Sequence, residues 1–205
     1  MYPAKPGLLV GFHGCDKAVR DKIVSQQSML EASDNDYDWL GHGMYFWENN
    51  MQRASDFARA LQMHPRKGKA PISTPSVLGA VIDLGFCMDL LEKEFIELVG
   101  QSYNTLVTSY QQLSLPVPVN TSVGSSQDLL IRKLDCAVVE NLHLYRKRKK
   151  LRPFDSVRGV FIEGEPVYPT AGFYQKSHIQ ICIQNPNCIK GFFIPREENK
   201  KWLVP

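Results

Sequence analysis

The stretch from Trp39 to Ala58 constrains the fold of this chain more than any other. It opens on a Gly-x-Gly turn (Gly41, Gly43), passes through a short aromatic strand from Met44 to Trp47, and continues into a helix capped by Asn49 or Asn50. Ala54, Phe57, Ala58 and Leu61 recur at helical spacing and give that helix one apolar face. Strand alternation sends Tyr45 and Trp47 to one side of a sheet and Met44 and Phe46 to the other. Three large aromatics on so short a strand exceed what packing alone requires. One face builds the core; the other offers a flat ring to a ligand.

The rest of the 205-residue chain is of a length for one domain, spanning 1–205, with room for a sizeable core. A net charge of +3 is too small to identify a partner. No run approaches the roughly 18 apolar residues of a membrane span, and the N-terminus lacks the pattern of a secretory signal. Five cysteines (Cys15, Cys87, Cys136, Cys182, Cys188) are an odd set without C-x-x-C spacing. They read as reduced thiols of a cytoplasmic protein, neither a disulfide framework nor a metal site.

Leu8 to Gly14 is an apolar run closed by glycine, a strand ending at His13, and Asp16 caps a helix over Lys17–Ser25. Residues 26–41 form a polar, acidic loop. Beyond the helix at about 50–62, a basic loop (Arg66, Lys67, Lys69) precedes a buried strand over 76–84. Helices follow at Asp89–Leu98, Asn104–Leu113 and Leu129–Arg148, with Pro116, Pro118 and the Ser/Gly cluster at 121–126 marking a loop between the last two. The end is strand-rich: Val157–Glu163, His178–Ile183 and Ile189–Ile194, with a turn-rich loop at Gly164–Ser177. The expected class is α+β, a split and mostly antiparallel β-sheet core with flanking helices.

Three strand-borne groups stand out, each beside a glycine turn or a long loop. His13 precedes Gly14, where backbone without a Cβ can approach a ligand closely. Tyr45 offers a ring and a hydroxyl. His178 and Gln180 lie two apart and share a strand face, with Ile179, Ile181 and Ile183 on the other.

The order of these features resembles the ADP-ribosyltransferase family, in its diphtheria-toxin and poly-ADP-ribose-polymerase branch. That branch is described by a His, Tyr and Glu/Asp/Gln triad. His13 in Gly11–Gly14 matches the first motif, and Gly41–Phe46 with the following helix matches the second. In the third, Gln180 stands where the family usually has Glu, with His178 as the alternative. The resemblance implies an ADP-ribosyltransferase-like fold and NAD as substrate, with no metal. It implies that Tyr45 stacks on nicotinamide, Gly14 presents its backbone to the carboxamide and His13 binds the adenosine ribose. Gly43, Phe46 and Ser55 are further contacts by the same analogy, Ser55 being either a nicotinamide contact or a small residue of helix packing. With no carboxylate on the third-motif strand, either Glu163 or Glu165 at the loop entrance helps, or the substrate supplies the base.

The run Arg146, Lys147, Arg148, Lys149, Lys150 is the densest charge feature. Such runs are commonly solvated surface, yet basic segments with nearby aromatics are also the footprint of nucleic-acid binding. The expected activity is mono-ADP-ribosylation of a macromolecular acceptor, RNA or DNA slightly ahead of protein. Tyr168, Phe173 and Tyr174 would place the 164–177 loop against that acceptor. By analogy the setting is a bacterial toxin or phage-defence effector with a neutralising antitoxin partner. The alternatives are a catalytically weak NAD-binding member of the fold and a nucleic-acid-binding accessory domain.

Overall fold

A computed structural model describes residues 7–66, 68, 70–123 and 128–202, so Lys67, Lys69 and part of the Ser/Gly cluster at 121–126 lie outside the described residues. Strand β1 (Leu9–Asp16) pairs antiparallel along its whole length with β3 (Pro75–Ile82). It therefore runs past His13, because β3 supplies ladder partners as far as Asp16. Asp16 then caps α1 (Lys17–Val24), accepting from the Ala18 N–H at 2.8 Å.

Strand β2 (Met44–Glu48) turns through Asn49, held at a left-handed φ of 47°, into α2 (Met51–Met63). The cap is Asn50, whose side-chain oxygen accepts from the Arg53 N–H at 3.0 Å. Next come β4 (Cys87–Asp89), α3 (Lys93–Gln112), β5 (Asn120–Thr121), β6 (Ile131–Arg132) and α4 (Lys133–Arg148). Then follow β7 (Ser156–Phe161), β8 (His178–Ile183), a 3-10 turn at Pro186–Cys188 and β9 (Ile189–Phe193).

The helices expected over 89–98 and 104–113 are one continuous helix, α3. Gly100 does not break it, since α3 packs on α4, where Ser102 Oγ donates to the Val138 carbonyl at 2.8 Å. Tertiary contact outweighs the roughly 1 kcal/mol that glycine costs a helix. Asp89 belongs instead to β4, which pairs parallel with β7. The expected helix over 129–148 begins only at Lys133. Its first turn is held by Asn120, whose Oδ1 accepts from the Leu134 N–H at 2.9 Å.

The protein is thus α+β, with a seven-stranded sheet in the order β4-β7-β8-β2-β1-β3-β9 and a separate β5-β6 pair. Every pairing except β4–β7 is antiparallel. Met44 and Phe46 of β2 and Ile181 and Ile183 of β8 share one core cluster with Ala80 and Ile82 of β3. Strand β1 lies between β2 and β3, and Gly11 lets their side chains meet across it: a Cβ there would stand 2.6 Å from Ile82 Cδ1 and 2.9 Å from Phe46 Cβ. The remaining face is covered by α2 over β1 and β3 and by Val139 and Leu142 of α4, which pack with Trp39, Val157 and Phe161. Away from the cleft, Arg158 ties β7 to Glu48 (2.5 and 2.9 Å) and to Asp89 (3.0 Å). No helix among the described residues is long and apolar enough to cross a membrane.

Strands β1 and β2 share two ladder partners, Gly11–Glu48 and Phe12–Trp47. Beyond Phe12 the ladder ends, and His13 and Tyr45 line a cleft there.

Candidate functional site

The cleft encloses about 510 Å³. His13, Gly43, Tyr45, His178 and Gln180 line it, so three distant segments open on one space. Its remaining walls are strongly aromatic, with Tyr37, Trp39, Trp47, Phe57 and Phe161. Gly43 permits the β2 turn to lie against β8: a Cβ there would stand 2.6 Å from both Cys182 Sγ and the Ile183 carbonyl oxygen.

His13 occupies the seam. Its Nδ1 lies 2.8 Å from the Tyr45 carbonyl oxygen, taking an acceptor that the β1–β2 ladder leaves free. A carbonyl only accepts, so Nδ1 carries the proton and Nε2 of the neutral ring keeps its lone pair. Burial lowers the His13 pKa below the ordinary 6.5, although the Tyr45 carbonyl opposes the shift.

Tyr45 divides its functions. The hydroxyl accepts from the Leu40 N–H at 3.0 Å and donates to the Gly41 carbonyl at 2.8 Å, tying the strand to the turn before it. Burial raises its pKa well above the phenol value. The residue packs against the core cluster that holds Trp39 and Phe161 and also lines the cleft. Trp47, 5% exposed, is both core and cleft wall, with Phe57 at 4.9 Å between ring centroids.

On β8, Gln180 Oε1 accepts from the Trp39 indole N–H at 2.7 Å, which leaves the amide NH₂ as its free function. His178 stacks on Phe161 at 5.4 Å and bonds the Lys176 carbonyl through Nδ1 at 2.7 Å. Its Nε2 is thereby an acceptor, buried and without a partner. Burial is the main force lowering the His178 pKa, with the Arg53 charge adding to it. Trp47 Nε1 and Arg53 Nε are likewise buried without partners, and both side chains line the same cleft. An unmet buried polar atom costs about 1–3 kcal/mol, so these three atoms favour a ligand that meets them.

Among the carboxylates that line the cleft, Glu163 stands beside the end of β7 and is 18% exposed. Arg53 Nη2 reaches one oxygen at 2.8 Å and Lys176 Nζ the other at 3.8 Å. Glu165 is exposed and does not line the cleft. Neither Arg53 nor the wall formed by Tyr37, Trp39 and Phe57 is marked by the two motifs. The one sequence signal is aromatic residues, Tyr37 and Trp39, inside an otherwise acidic loop.

Other sequence candidates stand elsewhere. Phe46 is fully buried on the opposite strand face, in the core with Ile181. Ser55 does not line the cleft. Gly14 lines an adjoining cavity, and a Cβ on it would lie 2.2 Å from the Ala54 carbonyl oxygen. Its small size is what lets α2 dock. The basic run ends α4, a helix about 24 Å long. The cleft-side loop meets that helix nearer its start, where Lys133 pairs with Asp36 at 2.6 Å. Arg146 stacks on Phe154 at 4.3 Å, while Lys147, Arg148, Lys149 and Lys150 are exposed. In the 164–177 loop, Tyr168 and Phe173 are exposed and Lys176 reaches the cleft.

Among the described residues no three His, Cys, Asp or Glu side chains are grouped to hold a metal ion. No protein-family model matches this chain, and neither a curated protein nor a solved structure does.

Proposed function

We propose that this protein is an NAD-dependent mono-ADP-ribosyltransferase with an ADP-ribosyltransferase-like fold, releasing nicotinamide and passing ADP-ribose to a macromolecular acceptor. One observation carries the reading: His13, Tyr45 and the His178/Gln180 pair, far apart in sequence, line a single aromatic cleft. The short β1–β2 ladder, limited to two residue pairs, supports the split sheet that such a fold requires.

In the reaction the bond between ribose C1′ and the nicotinamide nitrogen breaks, and its electron pair leaves with neutral nicotinamide. Positive charge develops on the ribose, as in glycoside cleavage, until an acceptor nucleophile adds to C1′ and gives up its proton. The Tyr45 ring stacks on nicotinamide. His13 Nε2 accepts from a hydroxyl of the adenosine ribose. The Gln180 amide, its oxygen fixed by Trp39, donates to the nicotinamide-ribose 2′-oxygen. His178 Nε2 is the other candidate for that hydroxyl. Glu163 brings negative charge where β8 has none, stabilising the cationic ribose electrostatically.

Both Glu163 oxygens already face cations, and this favours a second reading: an NAD-binding member with weak turnover. The setting we propose, by analogy of fold alone, is a cytoplasmic bacterial toxin or phage-defence effector restrained by a partner protein. The acceptor we favour is RNA. Incubation with NAD labelled in its adenylate half tests all of this. Free nicotinamide with label on RNA supports the transferase, and label on protein changes the acceptor alone. Binding without release supports the second reading. Absence of NAD binding refutes both.

A further inference from the structure

The cations of the cleft are not equivalent. Arg53 and Lys176 both face Glu163. Arg66 instead lies over two rings, 5.3 Å from the Phe57 centroid and 5.9 Å from that of Tyr37. No carboxylate of the described residues stands within ion-pairing distance of it. A guanidinium resting on aromatic faces keeps its in-plane N–H donors, which match the oxygens of a phosphate.

Its position adds a second constraint. The main cleft of about 510 Å³ adjoins a smaller cavity of about 260 Å³, and His13, Glu31, Ser33, Phe57 and Arg66 line both. The larger is walled by rings; the smaller sets the apolar Leu61, Pro65 and Ile72 beside the polar Glu31, Ser33 and Asn35. Two adjoining cavities, each with apolar side chains in its wall, thus share an exposed guanidinium that rests on rings and makes no ion pair with Glu31. This arrangement complements a ligand of two ring systems joined by an anionic linker.

We infer that Arg66 recognises the diphosphate of a dinucleotide that lays one half in each cavity, across the junction held by His13 and Phe57. The inference rests on the NAD reading for the identity of the ring in the larger cleft. The anion site itself exists independently of turnover. Phosphate can also come from the backbone of an RNA acceptor, so the test separates the two sources.

Wild type, Arg66→Ala and Arg66→Lys are titrated with NAD, ADP, adenosine and a short single-stranded RNA. Binding is read from fluorescence of the tryptophans, two of which, Trp39 and Trp47, line the cleft. Nicotinamide release is measured in parallel. The expected result is that Arg66→Ala weakens NAD and ADP about tenfold or more while leaving adenosine within about twofold. Arg66→Lys should restore only part of the loss, lacking the planar fork. Unchanged NAD and ADP affinity in Arg66→Ala overturns the inference, and so does equal weakening of adenosine, which would make Arg66 a packing residue. Loss confined to RNA assigns the cation to the acceptor and overturns it as well. If ADP binding depends on Arg66 but NAD is never cleaved, the diphosphate site stands and the transferase reading falls. If nicotinamide is released and the variant binds NAD normally, the transferase stands and this inference falls. A wild type that binds neither NAD nor ADP overturns both.

Discussion

Tyr45 separates what a ring does from what a hydroxyl does. Its oxygen serves the Leu40–Gly41 turn, so Tyr45→Phe should lose about 1–2 kcal/mol in urea unfolding yet keep nicotinamide release near wild type. Tyr45→Ala removes the stacking face and should lower release on the order of a hundredfold. Full activity in the alanine variant would count against the site. On β8 the comparison is between two neighbours. If Gln180 holds the ribose hydroxyl, Gln180→Ala lowers kcat about tenfold or more while His178→Ala changes it little; the reverse pattern transfers the role to His178. Strand alternation gave the shared face of this pair correctly. It could not reveal that Trp39 engages Gln180 or that Lys176 orients His178, because hydrogen bonds between distant segments leave no periodic trace.

At the scale of elements, Gly14 is a docking point for α2, the helix that carries Arg53 and Phe57. Gly14→Ala should force that helix outward at a cost of about 2–3 kcal/mol, read as a lower urea midpoint. An unchanged midpoint would mean that α2 yields without penalty. The same glycine shows what local reading can and cannot deliver. The sequence marked Gly14 as a place of close approach, and close approach there is; the neighbour is a helix carbonyl. The α2 cap, narrowed to Asn49 or Asn50, the strand from Met44 to Trp47, which runs one residue further, and the β8 alternation were legible, since each depends on residues within one turn or one strand. The continuous α3 and the late start of α4 were not. Gly100 survives in α3 through contact with α4, and Asn120 caps α4 from a separate strand.

For the whole molecule, buried imidazoles link stability to pH. Burial holds His13, His143 and His178 below the ordinary 6.5. Unfolding frees them to bind protons that the native state excludes, so their contribution is complete above about pH 6.5 and is lost as pH falls below it. The urea midpoint should therefore drop between about pH 7.5 and about pH 5.5. A midpoint that rises over this interval contradicts the sign. The other global feature is the distance between charge and cleft. Reversing Lys147, Lys149 and Lys150 to glutamate should leave nicotinamide release unchanged while weakening any salt-sensitive RNA association. Release that falls with these changes would place the run within reach of the reacting atoms.

The seam between β1 and β2 also sets a clock. Amides of β3 and β8, paired along most of their length on both sides, should exchange for deuterium more slowly than those bordering His13 and Tyr45, where β1 and β2 share only two pairs; equal rates would contradict a weak point there. Opening confined to that short ladder would admit a guest while the long ladders on either side stay closed.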